Sequence, residues 1–483
     1  MPKQHNPADI SYLAFEGGGG KGIVYLGVIK ALEEVFTPPR PQGRLLPHPG
    51  IDDLPVIDFP KGLFDLSQPI AQRKLKGVSG SSAGAITALM VALGMSSDEI
   101  AEEINTPSND LYRINGLVTQ PEKIVVNELE QFVEDPDMLN NKAVDPNPAL
   151  HQFVNTQKGY PLIMGALYDP IIQGLLTKLG TGDSTIASRR IFRSETRGGD
   201  FTKRLDLSAY IHSFLFNRGL IAGKRIRMYF ANLVTKYLQK RFKGMLVSGG
   251  TLTFKEFFSV TGVDLVVSGT NISRRLSKYF SVGSTPDFPV AEAVAISMNI
   301  PFFFKPVLID RPVIETLGPN DPYNIQYTGL WVDGGMLMNY PLHAFDNLVE
   351  NTIYPSNPQY VKIAKPPLEG EDHDLQPGTL GFRLVEKDGR PFDVRDVYRS
   401  DQGLIVGELV GDIMDTFMYS GDGGQIRSLA DRRATIDLDA SGLKLLDFAG
   451  PTINRIRKEL DIAIKKEQLI HSAYEATKSS LQK

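Results

Sequence analysis

Two glycine-rich turns, each between an apolar strand and a helix, constrain the fold of this 483-residue chain most strongly. The apolar segment 11–15 leads into four glycines at 17–20, and apolar residues then recur on one face of segment 23–36. A second strand, at about 75–79, leads into Gly-Ser-Ser-Ala-Gly at 80–84 and then into a helix. Such alternation predicts an α/β fold with a mainly parallel sheet flanked by helices.

Composition narrows the classes of protein that this chain can belong to. It carries 52 Lys and Arg against 56 Asp and Glu and is 42% hydrophobic, values that argue against a disordered, collagen-like or coiled-coil chain. The absence of cysteine excludes disulfides, thiolate zinc sites and cysteine nucleophiles. The first 15 residues hold no apolar signal segment, and the longest near-continuous apolar stretch falls short of the roughly 18 residues that span a bilayer. We therefore expect a soluble protein, cytoplasmic or secreted without a cleavable signal peptide, that associates peripherally with membranes.

The second turn fits the pattern G-x-S-x-G, with Ser82 centred between Gly80 and Gly84. A serine on a strained turn between strand and helix needs small neighbours, because larger side chains would collide with the backbone. The following helix begins at the serine, so its dipole favours developing negative charge there. Ser82 is the candidate nucleophile; the alternative is a turn of small residues with no chemistry.

The first turn also satisfies G-x-G-x-x-G, a pattern typical of dinucleotide sites. Such a site needs an acidic residue about 20 positions later, where this chain has Pro-Pro-Arg-Pro-Gln at 38–42. A phosphate-binding P-loop fails as well, because Gly22 rather than Ser or Thr follows Lys21. Backbone N–H groups of such a loop can instead stabilise an oxyanion. A tight turn that serves only helix packing is the alternative.

A serine nucleophile needs a base, and none of the seven histidines lies in a catalytic context. His343 has the best position among them, just after a candidate strand. Asp333 ends the predicted strand 330–333 and is followed by Gly334 and Gly335, which allow close approach of another loop. Chemistry in α/β sheets gathers at the carboxyl ends of strands, so Asp333 is a candidate, although Asp-Gly turns are common.

The three motifs together resemble the patatin-like phospholipase family, which combines a G-G-G-x-[KR]-G loop, a G-x-S-x-G turn and a D-G-[GA] motif in this order. Further segments are similar to the family's N-x-P, to its A-x-x-x-S-x-x-x-P segment and to a later strand. The matching segments are 17–22, 80–84, 333–335, 339–341, 285–301 and 380–384.

The resemblance implies a bacterial-type patatin-like lipid acyl hydrolase with a three-layer α/β/α fold and helical insertions. It implies that Ser82 attacks the ester and that Asp333 acts as its base without a histidine. It also implies an oxyanion hole and supporting motif positions. The oxyanion candidates are Gly17, Gly18, Gly19, Gly20 and Ala83, and the supporting residues are Lys21, Gly22, Gly80, Gly84, Gly334 and Gly335.

The implied substrate is a phospholipid or another acyl-ester lipid, cleaved as by a phospholipase A or lysophospholipase, with no cofactor and no metal. A neutral-lipid or general carboxylesterase is an alternative. A patatin-like effector whose insertions bind a partner protein is another. A nucleotide-binding protein is disfavoured by the missing acidic partner of the glycine loop.

One catalytic domain is expected to span residues 11–385, because the motifs of one site lie more than 300 residues apart. Insertions are expected at about 37–73, where seven prolines among residues 37–60 argue against regular structure, and at 97–218. Both make the chain longer than the family pattern needs. Residues 386–483 are expected to form a C-terminal extension packed on this domain.

A basic segment interrupts this acidic chain. Residues 189–243 hold 14 Lys or Arg against 3 acidic residues, and segment 221–242 has an amphipathic pattern. A basic amphipathic helix can lie on an anionic membrane; the alternative is a surface helix that packs its apolar face on the core. Nucleic acid is not an expected partner, since the whole chain is acidic. The membrane-binding candidates are Lys224, Arg225, Arg227, Lys236, Lys240 and Arg241.

Overall fold

A computed structural model of the chain describes its two glycine turns, most of its sheet and the flanking helices. It has an α/β fold with a mixed, mostly parallel sheet, which confirms the expected fold class. The described residues are 5–36, 46–47, 55–56, 62–66, 73–105, 219–221, 224–242, 247–350, 362–365, 374–385, 426, 428–443 and 460–481.

Each predicted strand-turn-helix unit is present. Strand β1 (Tyr12–Phe15) leads through a 3-10 helix at Gly19–Val24 into helix α1 (Tyr25–Phe36). In the proline-rich segment, where no regular structure was expected, two-residue strands β2 (Leu46–Pro47) and β3 (Pro55–Val56) pair antiparallel. The second unit comprises strand β4 (Gly77–Gly80) and helix α2 (Ala83–Ala92), and helix α3 (Ser97–Asn105) follows it.

The remaining strands and helices belong to the main sheet, to its helical layers and to two separate strand pairs. In chain order they are β5 (Gly219–Ile221), α4 (Lys224–Arg241), α5 (Phe254–Thr261), β6 (Asp264–Asn271), β7 (Leu276–Phe280), α6 (Val290–Ser297), β8 (Phe302–Phe304), β9 (Val307–Ile309), α7 (Pro322–Tyr327), β10 (Gly329–Asp333), β11 (Leu348–Glu350), β12 (Lys362–Ala364), β13 (Thr379–Val385), α8 (Leu429–Arg433), β14 (Thr435–Asp439) and α9 (Leu460–Leu481). The two separate pairs are β5 with β8 and β11 with β12.

The main sheet has the strand order β14-β13-β1-β4-β6-β10-β9, with β7 also paired to β6. Strands β14 to β6 run parallel, whereas β10 is antiparallel to β6. Gly80 at the end of β4 pairs with Val267, and Asp333 at the end of β10 pairs with Gly269. The eight-residue strand β6 therefore brings the turn after β4 and the end of β10 to the same level of the sheet.

Both faces of the sheet are buried, as the alternation of side chains along β1 shows. Leu13 and Phe15 belong to the large core that includes helices α1, α2 and α6. Tyr12 points to the opposite face, where its ring stacks on Phe345 with centroids 4.5 Å apart. This double burial is what a parallel sheet between two layers requires.

Residues after 385 contribute to the same fold. Strand β14 pairs in parallel with β13 at the edge of the sheet. Helix α9 packs closely on α1 at Gly27, where an added Cβ would lie 2.0 Å from the carbonyl oxygen of Ile470 and 2.8 Å from the nitrogen of Tyr474. The contact is backbone to backbone, so it leaves no room for a side chain.

We predict that Gly27→Ala destabilises the protein by about 1–3 kcal/mol, since the clash with the α9 backbone outweighs the gain of roughly 1 kcal/mol in helix propensity. Urea unfolding of the variant and the parent measures the difference. Gly250→Ala is the control, because its added Cβ would meet Ala231 Cβ at an ordinary 3.5 Å. Equal stability of parent and Gly27→Ala would show that the two helices do not pack this closely.

Candidate active site

Ser82 sits on a strained turn between β4 and α2. Its backbone lies at φ 49° and ψ −122°, a conformation that non-glycine residues rarely adopt. An added Cβ on Gly80 would lie 2.1 Å from the carbonyl oxygen of Gly84, and one on Gly84 would lie 2.3 Å from that of Phe15. The backbone N–H of Ser82 donates to Ser297 Oγ at 3.0 Å. Close packing and this hydrogen bond together hold the strained residue.

Asp333 accepts a hydrogen bond from the Ser82 hydroxyl, with 2.7 Å between Ser82 Oγ and Asp333 Oδ2. The other carboxylate oxygen accepts the N–H of Gly335 at 2.7 Å, and the N–H of Asp333 itself donates to the carbonyl of Asn299 at 2.9 Å. An added Cβ on Gly334 would lie 2.3 Å from Ser268 Oγ. Gly334 therefore leaves the space this close packing needs, and the N–H of Gly335 holds the carboxylate that faces the serine.

Both side chains of this pair are shielded from water, because Ser82 is 2% exposed and Asp333 is 0% exposed. Burial raises the pKa of Asp333 to about 7, although the hydrogen bonds from Ser82 and Gly335 act in the opposite direction. The carboxyl group thus changes its charge near neutral pH. A group with such a pKa can both accept and return a proton at neutral pH.

The glycine loop lies beside the turn that carries Ser82. Gly19 has a φ of 53°, which favours glycine, and begins the 3-10 helix together with Gly20. The first N–H groups of a helix have no partner inside it, which applies to Gly19 and Gly20 here and to Ala83 at the start of α2. An added Cβ on Gly22 would lie 2.8 Å from Ala83 Cβ, so the two helix starts adjoin.

Gly17 has a different role from the one expected. Its N–H donates to the carbonyl of Asn339 at 2.9 Å, so the interpretation of Gly17 as an oxyanion donor is wrong. An added Cβ on Gly17 would lie 3.0 Å from Ser82 Cβ and 2.3 Å from Asn339 Oδ1. Gly17 is therefore the point where the glycine loop, the serine turn and the segment after Asp333 meet.

Gly18 and Lys21 also lie in the glycine loop, at and just after the start of its 3-10 helix. Gly18 directly precedes the 3-10 helix, and its carbonyl accepts the N–H of Lys21 at 3.0 Å. An added Cβ on Gly18 would lie 2.3 Å from Leu384 Cδ1. Lys21 is buried, so its side chain does not extend into solvent.

Three buried residues that hold the site in place were not predicted from the sequence to have a role there. Ser297 accepts the N–H of Ser82, and the carbonyl of Asn299 accepts that of Asp333, so the end of α6 fixes both members of the pair. Glu16 accepts the N–H of Leu384 at 2.5 Å and the Asn339 side chain at 3.5 Å. A charged residue directly after a buried strand was the available signal for Glu16, since buried carboxylates are rare unless partnered.

The histidine considered as an alternative base lies elsewhere. His343 Nδ1 is 2.6 Å from Asp346 Oδ2, and its Nε2 is 3.3 Å from Asp431 Oδ2. Within the described part of the chain, the Ser82 hydroxyl is hydrogen-bonded to Asp333 and to no histidine.

Helix α4 does not present its apolar side to a membrane, which corrects the expectation from its amphipathic pattern. That side is buried in the core at Tyr229, Phe230, Leu233 and Leu238, as the alternative interpretation had it. The basic residues near its end contact acidic residues of α3. The pairs are Lys236 with Glu103 at 2.7 Å, Lys240 with Glu99 at 2.6 Å and Arg241 with Glu99 at 2.5 Å.

Of the other three basic candidates, the structure describes the side chain of only one. Arg227 is partly buried on α4, and the side chains of Lys224 and Arg225 lie outside the described residues. The predicted insertion at 97–218 is described only as far as residue 105, so a partner-binding role for it stays a prediction. No helix in the described ranges is both long and apolar enough to cross a membrane.

A comparison with protein families shows which family this chain belongs to. The family model for patatin-like phospholipase matches residues 13–346, which include the glycine loop, the serine turn and Asp333. The chain belongs to the patatin-like phospholipase family. Membership of this family supports a lipase-type function.

Two viral proteins are similar to parts of this patatin-like chain. A probable lipid hydrolase, 463L of Invertebrate iridescent virus 6, is 28% identical over 109 residues, which is 23% of this chain and 31% of that protein. The uncharacterized protein R571 of Acanthamoeba polyphaga mimivirus is 29% identical over 96 residues, 20% of this chain and 27% of that protein. The chain thus matches about a third or less of the length of these relatives.

Two bacterial structures are also similar to the patatin-like chain. VipD from Legionella pneumophila has 14% identity and a TM-score of 0.35, with 99% of this chain and 70% of VipD covered. ExoU from Pseudomonas aeruginosa, solved in complex with SpcU, has 15% identity and a TM-score of 0.30, with 99% and 54% covered. These scores are too low to support an argument about this chain.

The raised pKa of Asp333 predicts how the reactivity of Ser82 depends on pH. If Asp333 is the base for Ser82, it must be ionised to accept the serine proton. Labelling of Ser82 by a fluorophosphonate probe should then rise about tenfold per pH unit below a midpoint near 7 and level off above it. Gel-based labelling rates from pH 5 to 9 measure this. Asp333→Asn is the control, and it should lose this dependence. A midpoint near 4 would contradict the raised pKa.

Proposed function

We propose that this chain is a lipid acyl hydrolase of the phospholipase A or lysophospholipase type that works through a Ser82–Asp333 dyad. The observation that supports this proposal most directly is the 2.7 Å hydrogen bond from Ser82 Oγ to Asp333 Oδ2, in a buried site beside the glycine loop. Membership of the patatin-like phospholipase family supports an ester of lipid origin as substrate.

In the first half of the reaction, Ser82 Oγ attacks the ester carbonyl carbon while Asp333 Oδ2 takes the hydroxyl proton. The carbonyl oxygen becomes an oxyanion that faces the N–H groups of Gly19, Gly20 and Ala83, with Gly18 as a further candidate donor. The start of α2 adds a favourable dipole. One donor of this kind is typically worth about 2.7–4 kcal/mol of barrier.

In the second half, Asp333 protonates the leaving alcohol, and the acyl group remains as an ester on Ser82. Asp333 then takes a proton from the water that attacks the acyl-enzyme, and it returns this proton to Ser82 Oγ as the bond between Oγ and the acyl carbon breaks and the fatty acid leaves. A pKa near 7 suits both transfers, because the carboxyl group gives up and regains its proton at similar cost at neutral pH. All groups in this scheme come from the protein, so it uses no cofactor or metal.

The substrate links this proposal to membranes. Phospholipids reside in bilayers, so the enzyme would associate peripherally with a membrane surface during turnover. Because the apolar side of α4 is buried in the core, it is not the surface that contacts a membrane. The proposed association is therefore inferred from the substrate and not from α4.

We predict that Ser82→Ala and Asp333→Asn each lower fatty-acid release from phospholipid by at least about 10³-fold, because each removes a group that acts in the chemical step. Mass spectrometry of the released fatty acids measures the effect, and thermal unfolding confirms that the variants fold. The control is Ser81→Ala, which removes a neighbouring buried hydroxyl that has no hydrogen-bond partner among the described residues. Robust release by either dyad variant would refute the mechanism.

The same assay separates the proposed substrate class from its alternatives. Phospholipid, lysophospholipid, triacylglycerol and short p-nitrophenyl esters are compared at equal concentration with the parent protein. Preference for the first two supports the phospholipase type. Preference for triacylglycerol or for the short esters would instead indicate a neutral-lipid lipase or a general carboxylesterase.

A further inference from the structure

An apolar cleft opens beside the candidate oxyanion donors. Gly19, Gly20 and Ala83 line it, and its volume is about 70 Å³. Ligand sites for small molecules commonly have mostly apolar walls. The composition of this cleft therefore fits an apolar ligand group.

The cleft follows helix α2 away from the serine turn. Ala83, Ile86 and Met90 all line it, at the three-and-four-residue spacing that places them on one face of the helix. Met90 lies seven residues beyond Ala83, about 10 Å along the helix at 1.5 Å per residue. Ile86 is partly exposed, whereas Met90 is 1% exposed, so the cleft deepens away from the turn.

Helix α3 forms a second wall through Ile100 and Ile104. Ile100 is 3% exposed and Ile104 is only half-buried, so Ile100 lies at the deep end and Ile104 nearer the mouth.

Helix α3 is held in place from two sides. Glu33 at the end of α1 accepts the N–H and the hydroxyl of Ser97, at 2.8 and 2.6 Å. On the other side, Glu99 pairs with Arg241 and Lys240 of α4. These contacts make α3 a fixed wall, so the cleft has a defined depth.

We propose that this cleft binds the acyl chain of the substrate and that Met90 and Ile100, at its deep end, set the preferred chain length. The inference rests on the proposed function. An ester whose carbonyl oxygen faces Gly19, Gly20 and Ala83 has its acyl chain at the entrance of the cleft, because the same residues line both. The leaving alcohol then points away from the cleft, and headgroup size does not affect the fit of the chain.

The test is kcat/KM for p-nitrophenyl esters from butyrate to palmitate. Each buried methylene should raise kcat/KM about fourfold until the chain reaches the deep end. Ile86→Trp narrows the cleft midway and should lower the ratio of dodecanoate to butyrate hydrolysis at least tenfold. Met90→Ala should move the preference to longer chains. Leu429→Trp, on the exposed helix α8, is the matched control and should leave the ratio as it is in the parent protein.

The outcomes distinguish a failure of the cleft inference from a failure of the proposed function. If the parent hydrolyses these esters and the lipid substrates but Ile86→Trp and Met90→Ala keep its chain-length profile, the cleft inference fails while the hydrolase proposal stands. If the parent hydrolyses no ester, the proposed function fails. Binding of a fluorescent fatty acid to Ser82→Ala then tests the cleft alone: weaker binding when Ile86→Trp is added supports it, and equal binding overturns it. Thermal unfolding of each variant shows that the protein is folded.

Discussion

The hydrogen bond between Ser82 and Asp333 depends on where two strands end. Strand β10 runs antiparallel to β6 and stops halfway along it, at Gly269, two residues beyond the partner of Gly80. Ser82 lies two residues beyond Gly80, so the serine and the aspartate reach the same level. The strained backbone of Ser82 aims its hydroxyl at the carboxylate, and the N–H bond to Ser297 stabilises that conformation. Loss of either strand register would separate the two reacting groups.

Close approach of backbones assembles the rest of the site. Gly17 lies between Ser82 and Asn339, and Gly22 lies against Ala83, at distances where a methyl group would clash. The glycines therefore act mainly by leaving space, whereas the amides at the two helix starts are the proposed oxyanion donors. Glu16, buried behind the loop, ties it to β13 and to Asn339. The same arrangement places α1, α2 and α3 around an apolar cleft that begins at those donors.

The sequence predicted the local units well because strand, glycine turn and helix leave clear periodic patterns. It also pointed to Ser82 and Asp333, but Asp333 was expected at the carboxyl edge of a parallel sheet. The antiparallel pairing of β10 depends on contacts between residues far apart in the chain, which a single sequence does not reveal. The amphipathic pattern of α4 was equally ambiguous, since an apolar helix face looks the same whether it meets a core or a bilayer. Gly17 was misassigned because its N–H partner, Asn339, lies more than 300 residues away.

Catalysis by the proposed dyad requires that the fatty-acyl group is transferred to Ser82 during turnover. Rapid acid quench of the reaction with a slowly hydrolysed fatty-acyl ester, followed by peptide mass spectrometry, locates the covalently held acyl group. We expect the mass of one acyl group on the peptide that contains Ser82. This added mass should disappear at later quench times, after the ester has been used up and water has hydrolysed the acyl-enzyme. An acyl group on another residue, or turnover with no acylated peptide at any time, would contradict the dyad mechanism.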